Sequence, residues 1–286
     1  MNSEEPGTTL TIPAHAKLNL TLEILGKRSD GYHEIRSLMC NLALHDTVRL
    51  APSPGIEVGC SLPELAGPGN LAYRAATLLR AAANHAGGAA ITIEKAIPVA
   101  AGLGGGSSDA AATLRGLNRL WRTGLSDEVL LDLAAQLGSD VPFCLTGGAA
   151  VASGRGEVLR PLTPLPAAPL LLVRPPIRVS TASIYGALTP EGYGDGQATE
   201  RLAARVGAIP PAQWPLVNGL QPVTLRAYPM VGEVIALLRE SGAAQAMMCG
   251  SGPTCFGFVK TIEEAERGAH AARARGWDAW VTTLST

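Results

Sequence analysis

Between Pro98 and Ala112 the chain reads Pro-Val-Ala-Ala-Gly-Leu-Gly-Gly-Gly-Ser-Ser-Asp-Ala-Ala-Ala, a glycine run closed by two hydroxyls. Glycine backbone approaches a ligand closely and enters the left-handed region without strain. The segment from Ala110 to Leu120, rich in Ala and Leu, reads as a helix. The first N–H groups of a helix have no internal partner and carry the positive end of its dipole, so Gly102 to Ser108 form a candidate seat for an anion, most naturally a phosphate. Ser107 and Ser108 have the chemistry to cap the helix, touch a phosphate or hold a magnesium ion. The spacing is not Gly-x-Gly-x-x-Gly, because Ser107 stands three after Gly104, and no lysine follows the last glycine as in a Walker loop. A capped glycine turn without a ligand is the plain alternative.

Two further sets of residues carry chemistry. From Lys17 onward apolar and polar residues alternate, with Leu18, Leu20, Leu22 and Ile24 on one face and Lys17, Asn19, Thr21 and Glu23 on the other. A turn through Gly26 to Gly31 returns Tyr32 and His33 beside that strand. An ammonium, an amide, an aromatic ring and an imidazole then converge, a set that suits a base and a phosphorylated polyol. The chain has only four lysines, Lys17, Lys27, Lys95 and Lys260, so one near a site is informative. A solvated strand residue is the simpler reading of Lys17 by itself. Asp140, just past a helix end and ahead of Pro142, reads equally as a turn or cap residue.

Elements must position these groups. Ile91 to Lys95 alternates as a strand and leads into the glycine loop. Asp46–Leu50 and Ile56–Val58 read as further strands; Asn70 caps a helix to His85 that Gly87 ends, and Ser126 caps another to Leu137 with Gly138 after it. Pro161, Pro164, Pro166 and Pro169 mark a linker, which divides the chain into domains 1–160 and 161–286. Beyond it come a buried-type strand at Leu170–Val173, a short helix opened by Ser180 and carrying Tyr185, and a mobile loop from Thr189 to Thr199. A helix after Pro229, a strand–glycine turn–strand unit from Ala246 to Phe258, a helix capped by Thr261 and a strand from Trp277 to Leu284 complete a ferredoxin-like α+β order.

Composition limits the function classes. Of 286 residues, 47% are hydrophobic and 16% charged, with net charge −1, which supports real cores and excludes a nucleic-acid groove or a polybasic membrane patch. Cys40, Cys60, Cys144, Cys249 and Cys255 form no Cys-x-x-Cys pair and read as free thiols. Met1 to Thr11 lack a secretory pattern and no 18-residue apolar run occurs, so a cytoplasmic protein is expected.

The stretch from Pro98 to Ala111 resembles the ATP-binding motif of the GHMP kinases. Ala16-Lys17-Leu18-Asn19-Leu20 followed by Asp30-Gly31-Tyr32-His33-Glu34 is similar to the N-terminal signature of the branch that phosphorylates the 2-hydroxyl of a cytidine-diphosphate-linked methylerythritol. Gly138-Ser139-Asp140-Val141-Pro142-Phe143 is similar to the segment that carries the family's proposed base, and Gly250-Ser251-Gly252 ahead of Phe256 resembles its third motif. Asn218-Gly219-Leu220 resembles the family's Asn-Asp-Leu/Phe helix start. The resemblance implies an α+β, two-lobed GHMP kinase fold, with an N-terminal ribosomal-protein-S5-domain-2-like lobe and a C-terminal ferredoxin-like lobe. It implies ATP bound by Pro98, Ala100, Gly102, Leu103, Gly104, Gly105, Gly106, Ser107 and Ser108, with Mg²⁺ touching Ser107. It also implies Lys17 and Asp140 at the reacting hydroxyl, and Asn19, Tyr32, His33, Thr181 and Tyr185 around the cytidine-bearing acceptor. A monomer or homodimer with small-molecule partners, and no nucleic acid or membrane, is the expectation. Another GHMP kinase, of homoserine or mevalonate type, or a non-catalytic nucleotide-binding protein on this fold are the alternatives.

Overall fold

In the computed structural model, which describes residues 9–285, the first half runs β1 (Leu10–Asn19), β2 (Thr21–Lys27), β3 (His33–Ser53), β4 (Ile56–Cys60), α1 (Leu71–Ala82), β5 (Gly88–Glu94), α2 (Gly105–Leu120), α3 (Asp127–Leu137) and α4 (Val141–Thr146). There follow β6 (Ala149–Ser153), β7 (Val158–Pro161), β8 (Pro169–Arg174), α5 (Thr181–Gly186), α6 (Gln197–Ala203), β9 (Val217–Asn218), α7 (Gln221–Ala227), α8 (Met230–Glu240), β10 (Gln245–Met248), β11 (Cys255–Phe258), α9 (Ile262–Ala274) and β12 (Asp278–Thr283). Residues 1–8 lie outside the described residues, and Leu10 and Thr11 belong to β1.

Two compact units interleave along the chain. The first takes residues up to 16, 44–99 and 104–146; the second takes 17–43, 100–103 and 147 onward. This grouping differs from a single cut at residue 160, and the cause is β3, 21 residues without a break. Its Thr47–Ser53 pair antiparallel with β5 in the first unit, while Ser37–Cys40 pair with β6 and His33–Arg36 with β2 in the second.

In the first unit β4 runs parallel to β5, and small residues let two helices lie close together over the sheet. Ala72, Ala75, Ala76 and Leu79 of α1 share a core with Ala110, Ala111, Leu114 and Leu117 of α2, and with Val48, Leu50, Ile91 and Ile93 from the strands. Asn70 caps α1 by accepting from Ala72 N–H at 2.8 Å. That helix ends at Ala82, with Asn84 just beyond it at φ 48°, rather than running to His85 before Gly87. Ser126 caps α3 as anticipated.

The second unit carries a four-stranded antiparallel sheet ordered β10-β11-β8-β12. With its helices the chain passes strand, helices, strand, strand, helix, strand, the expected ferredoxin-like arrangement. Val231, Val234, Ile235 and Leu238 of α8 and Ala265, Ala269 and Ala272 of α9 share a core with Leu171 and Val173. The segment expected to be a mobile loop ends instead in α6, whose Thr199 donates N–H and Oγ1 to the buried Glu23 carboxylate at 2.8 and 2.7 Å. The five cysteines are free thiols. Among the described residues no helix is long and apolar enough to cross a membrane.

Leu114 of α2 is fully buried in the first unit's core. Leu114→Ala is expected to destabilise the fold by about 2–5 kcal/mol through the cavity it leaves, measured as a drop in the denaturation midpoint.

Candidate active site

The glycine loop joins β5 to α2, and its backbone turns through positive φ at Ala100 (53°), Gly102 (76°) and Gly104 (70°). Helix α2 starts at Gly105, five residues before the expected Ala110, because left-handed Gly104 serves as its N-cap. No serine caps it. Ser108 Oγ instead donates to the His15 carbonyl at 2.7 Å, which fastens the helix to β1, and Ser107 lies half-buried in the first turn. The N–H groups of Gly105, Gly106 and Ser107 therefore open a 16-residue helix with no partner inside it, a site of positive potential.

Each glycine answers to a different demand. A Cβ on Gly102 would stand 2.4 Å from the Cys249 carbonyl oxygen, so two backbones touch there. A Cβ on Gly105 would meet Ile97 Cγ2 at 3.1 Å and Lys95 Nζ at 3.3 Å. Gly106 has helical dihedrals and nothing within 4 Å of where its Cβ would be. Glycine inside a helix costs about 1 kcal/mol relative to alanine, and no atom of the protein requires it at 106. What glycine leaves there is a clear approach to the helix's first N–H groups, the shape a phosphate needs.

Lys17 lies near the end of β1, at the start of the alternating stretch, in the second unit. It is 5% exposed rather than solvated, which sets aside the simpler reading of this residue. Its Nζ donates to Asn19 Oδ1 at 2.9 Å, Asn19 Nδ2 donates to Ser37 Oγ at 2.8 Å, and Ser37 Oγ donates to the Thr21 carbonyl at 2.5 Å. The Lys17 backbone N–H donates to the Leu103 carbonyl at 2.9 Å, so the strand and the loop residue share a hydrogen bond. Burial pushes the neighbouring Cys249 thiol well up, against the pull of the Lys17 charge, and Cys249 stays a neutral thiol. Asp140 is half-buried in the first unit, one residue ahead of α4, and its carbonyl accepts from Cys144 N–H at 3.0 Å.

Aromatic residues gather at the start of β3. His33 lies 5.1 Å from the Tyr185 ring and 6.3 Å from the Tyr193 ring, and the Arg155 guanidinium sits 4.7 Å over Tyr32, which is 52% exposed. Asp30 Oδ1 accepts from Tyr32 N–H at 3.1 Å and sets the turn that presents the ring. Burial first, and the Lys27 charge second, lower the proton affinity of His33, so its imidazole is neutral at pH 7. Tyr193 and Arg155 were not among the expected site residues. Tyr193 sits in the glycine-rich segment read as mobile, and Arg155 in the tip of a hairpin; the one signal was an aromatic between two glycines.

The glycine turn at Gly250-Ser251-Gly252 is also tied down within the second unit. Thr181 Oγ1 and Ser251 Oγ hydrogen-bond at 2.8 Å, which ties α5 to that turn. Asn218 Nδ2 donates to the Met248 and Gly250 carbonyls at 2.9 and 2.8 Å, and its Oδ1 accepts from Leu220 N–H at 2.9 Å. Among the described residues no group of three His, Cys, Asp or Glu side chains forms a metal site. One hydroxyl, Ser107, beside the open approach at Gly106 suits a magnesium ion that arrives on phosphates rather than one caged by protein.

Comparison with known proteins follows this geometry. The family model for the GHMP kinases N terminal domain matches residues 70–148, and that for GHMP kinases C terminal matches 200–277, one on each side of residue 160. A 4-diphosphocytidyl-2-C-methyl-D-erythritol kinase of Pelotomaculum thermopropionicum is 49% identical over 97% of this chain and 98% of its own. One from Geobacillus thermodenitrificans is 44% identical over 90% of this chain and 91% of its own. The crystal structure of a 4-(cytidine 5'-diphospho)-2C-methyl-D-erythritol kinase superimposes with a TM-score of 0.83 at 38% identity, over 97% of this chain and 100% of that one.

Gly106→Ala is expected to leave the thermal unfolding midpoint unchanged or slightly higher while raising the Kd for a nucleoside triphosphate, read by calorimetry. An unchanged Kd would place the anion seat elsewhere.

Proposed function

The chain belongs to the 4-diphosphocytidyl-2-C-methyl-D-erythritol kinases of the GHMP family, and from that premise we propose that it transfers the γ-phosphoryl group of ATP to the 2-hydroxyl of 4-diphosphocytidyl-2-C-methyl-D-erythritol, a step of non-mevalonate isoprenoid synthesis. Within the family the observation that carries the choice of acceptor is the set Tyr32, His33, Tyr185 and Tyr193. Homoserine and mevalonate have no base to stack on aromatic rings. A cytosine ring does, and neutral His33 offers one donor and one acceptor for its edge.

Phosphoryl transfer gives the protein little covalent chemistry to do; it must position groups and stabilise charge on the transferring oxygens. The N–H groups of Gly105, Gly106 and Ser107 hold the triphosphate. Ser107 would hold Mg²⁺, which neutralises phosphate charge when bound. Asp140 orients the acceptor hydroxyl and takes its proton, and Lys17 stabilises the negative charge that develops there. Asn19, anchored through Ser37, fixes the direction of the Lys17 ammonium and faces the acceptor with it. Thr181 and Tyr185 line the acceptor side through α5. The working form in this reading is cytoplasmic, a monomer or homodimer with domains 1–160 and 161–286, and its partners are small molecules.

A coupled assay of ADP release with the cytidyl acceptor, homoserine, mevalonate and no acceptor tests the reading. Turnover with the cytidyl acceptor alone is expected; turnover with one of the other alcohols, or nucleotide binding without turnover, would overturn it. Asp140→Asn should lower kcat by about 10²–10⁴-fold while the KM for ATP stays near the parent value. Unchanged turnover in that variant removes Asp140 from the chemistry.

A further inference from the structure

Lys95 follows β5 and points beneath the glycine loop, where its side chain is 5% exposed. Its ammonium meets two carboxylates, Asp46 Oδ2 and, at 2.6 Å, Asp109 Oδ2. The Asp46 and Asp109 side chains are 0% and 3% exposed. Asp46 Oδ1 accepts the N–H groups of Ala96 and Ile97 at 2.6 and 2.8 Å, the two residues that lead into Pro98. Asp109 belongs to the second turn of α2. One buried cluster inside the first unit therefore grips the backbone just before the loop and the helix just after it. The Lys95 ammonium also stands 3.3 Å from where a Gly105 Cβ would be, directly under the first residue of the helix.

The cluster is not an economical way to fill space. Two carboxylates and one ammonium leave a net charge of −1 when all are ionised, and Asp109 Oδ1 is buried without a hydrogen-bond partner. Buried ionic groups of this kind are often no more stabilising than apolar residues of the same volume. Their value lies in geometry, because a charge-assisted bond holds its partners within a few tenths of an ångström. A net negative charge below a phosphate seat also opposes anion binding by its field alone. The cluster is thus hard to explain as filler or as an attractor.

We propose that Asp46, Lys95 and Asp109 are positioning residues for the phosphate seat. They hold both ends of the loop so that the N–H groups of Gly105, Gly106 and Ser107 converge on the triphosphate, and none of the three touches it. The inference rests on the kinase reading above and adds to it the device that sets the affinity for nucleotide.

The sign of the effect separates this role from an electrostatic one. At pH 8.5, where Asp109 is ionised, Asp109→Ala removes a negative charge near the phosphates, so a field effect would tighten nucleotide binding, whereas a lost tether loosens it. Asp109→Ala keeps the Asp46–Lys95 pair and a strong helix former at the position, and Asp109→Asn restores an acceptor for Lys95 without the charge. The measurement is the Kd of a non-hydrolysable ATP analogue on the full chain by calorimetry, with thermal unfolding in its absence and the acceptor KM beside it. Asp109→Ala is expected to raise the Kd about tenfold, with the acceptor KM within twofold of the parent, and Asp109→Asn to recover part of the loss. An unchanged or tighter Kd in a folded Asp109→Ala protein, or equal losses for nucleotide and acceptor, would overturn the proposal. If Asp109→Ala fails to unfold cooperatively, Asp109→Asn decides by the same criterion. A parent that binds the analogue and phosphorylates no cytidyl acceptor would strike the substrate reading alone, and a parent that does not bind it would strike both.

Discussion

Backbone pressed against backbone is the contact on which this part of the second unit depends. Gly102 faces the Cys249 carbonyl with no room for a side chain, and the next residue, Leu103, gives its carbonyl to the Lys17 N–H. Asn218 holds the other side of that contact by donating one side-chain amide to both the Met248 and Gly250 carbonyls. Three segments far apart in sequence are thereby fixed to one another through main-chain atoms. Such atoms have no rotamers to lose, so holding them together costs less ordering entropy than a contact between long side chains.

Buried ammonium groups set the second constraint. Two of the chain's four lysines, Lys17 and Lys95, are buried, in different units. Taking an ammonium out of water costs several kcal/mol unless partners replace the solvent, and each lysine has them: Asn19 and its relay through Ser37 for one, two carboxylates for the other. Burial lifts the Asp109 carboxyl to about 7, with the Asp46 charge adding to the rise and the Lys95 charge opposing it. These partners explain why polar residues persist at positions where the sheet and helix around them are otherwise built from Ala, Leu, Ile and Val.

How much of this was legible in the sequence follows from how local each cause is. Caps were readable because an Asn70 or Ser126 side chain bonds a backbone two or three residues away. The strand–helix order of the ferredoxin-like part was readable because Leu170–Val173 and the apolar stripe of α8 are continuous runs. The shared side of Lys17 and Asn19 followed from alternation, but their burial did not, because the cover comes from distant segments. The start of α2 is not legible because glycine counts against a helix, although Gly105 and Gly106 occupy its first turn. Ser108 has the look of a cap and acts as a fastener to His15, 93 residues away. The Asp46–Lys95–Asp109 cluster has no local signature at all, since its members lie on a strand, after a strand and in a helix.

Base recognition shows how the same non-local packing decides chemistry. A protonated imidazole carries two donors and no acceptor, whereas a neutral one carries one of each. Cytosine presents an amino donor beside ring and carbonyl acceptors, so only the neutral form can meet either kind of group on that edge. Burial and, second, the nearby Lys27 charge lower the proton affinity of His33, and the Tyr185 and Tyr193 rings lie against its imidazole. In the proposed reading, the rings that would stack on a base also shield the imidazole that would read its edge. Removing one ring would weaken the stack and, by admitting water to the imidazole, shift its titration back toward the ordinary histidine range. Under that reading, specificity at this end of the second unit would be a joint property of the aromatic set and not of any single contact.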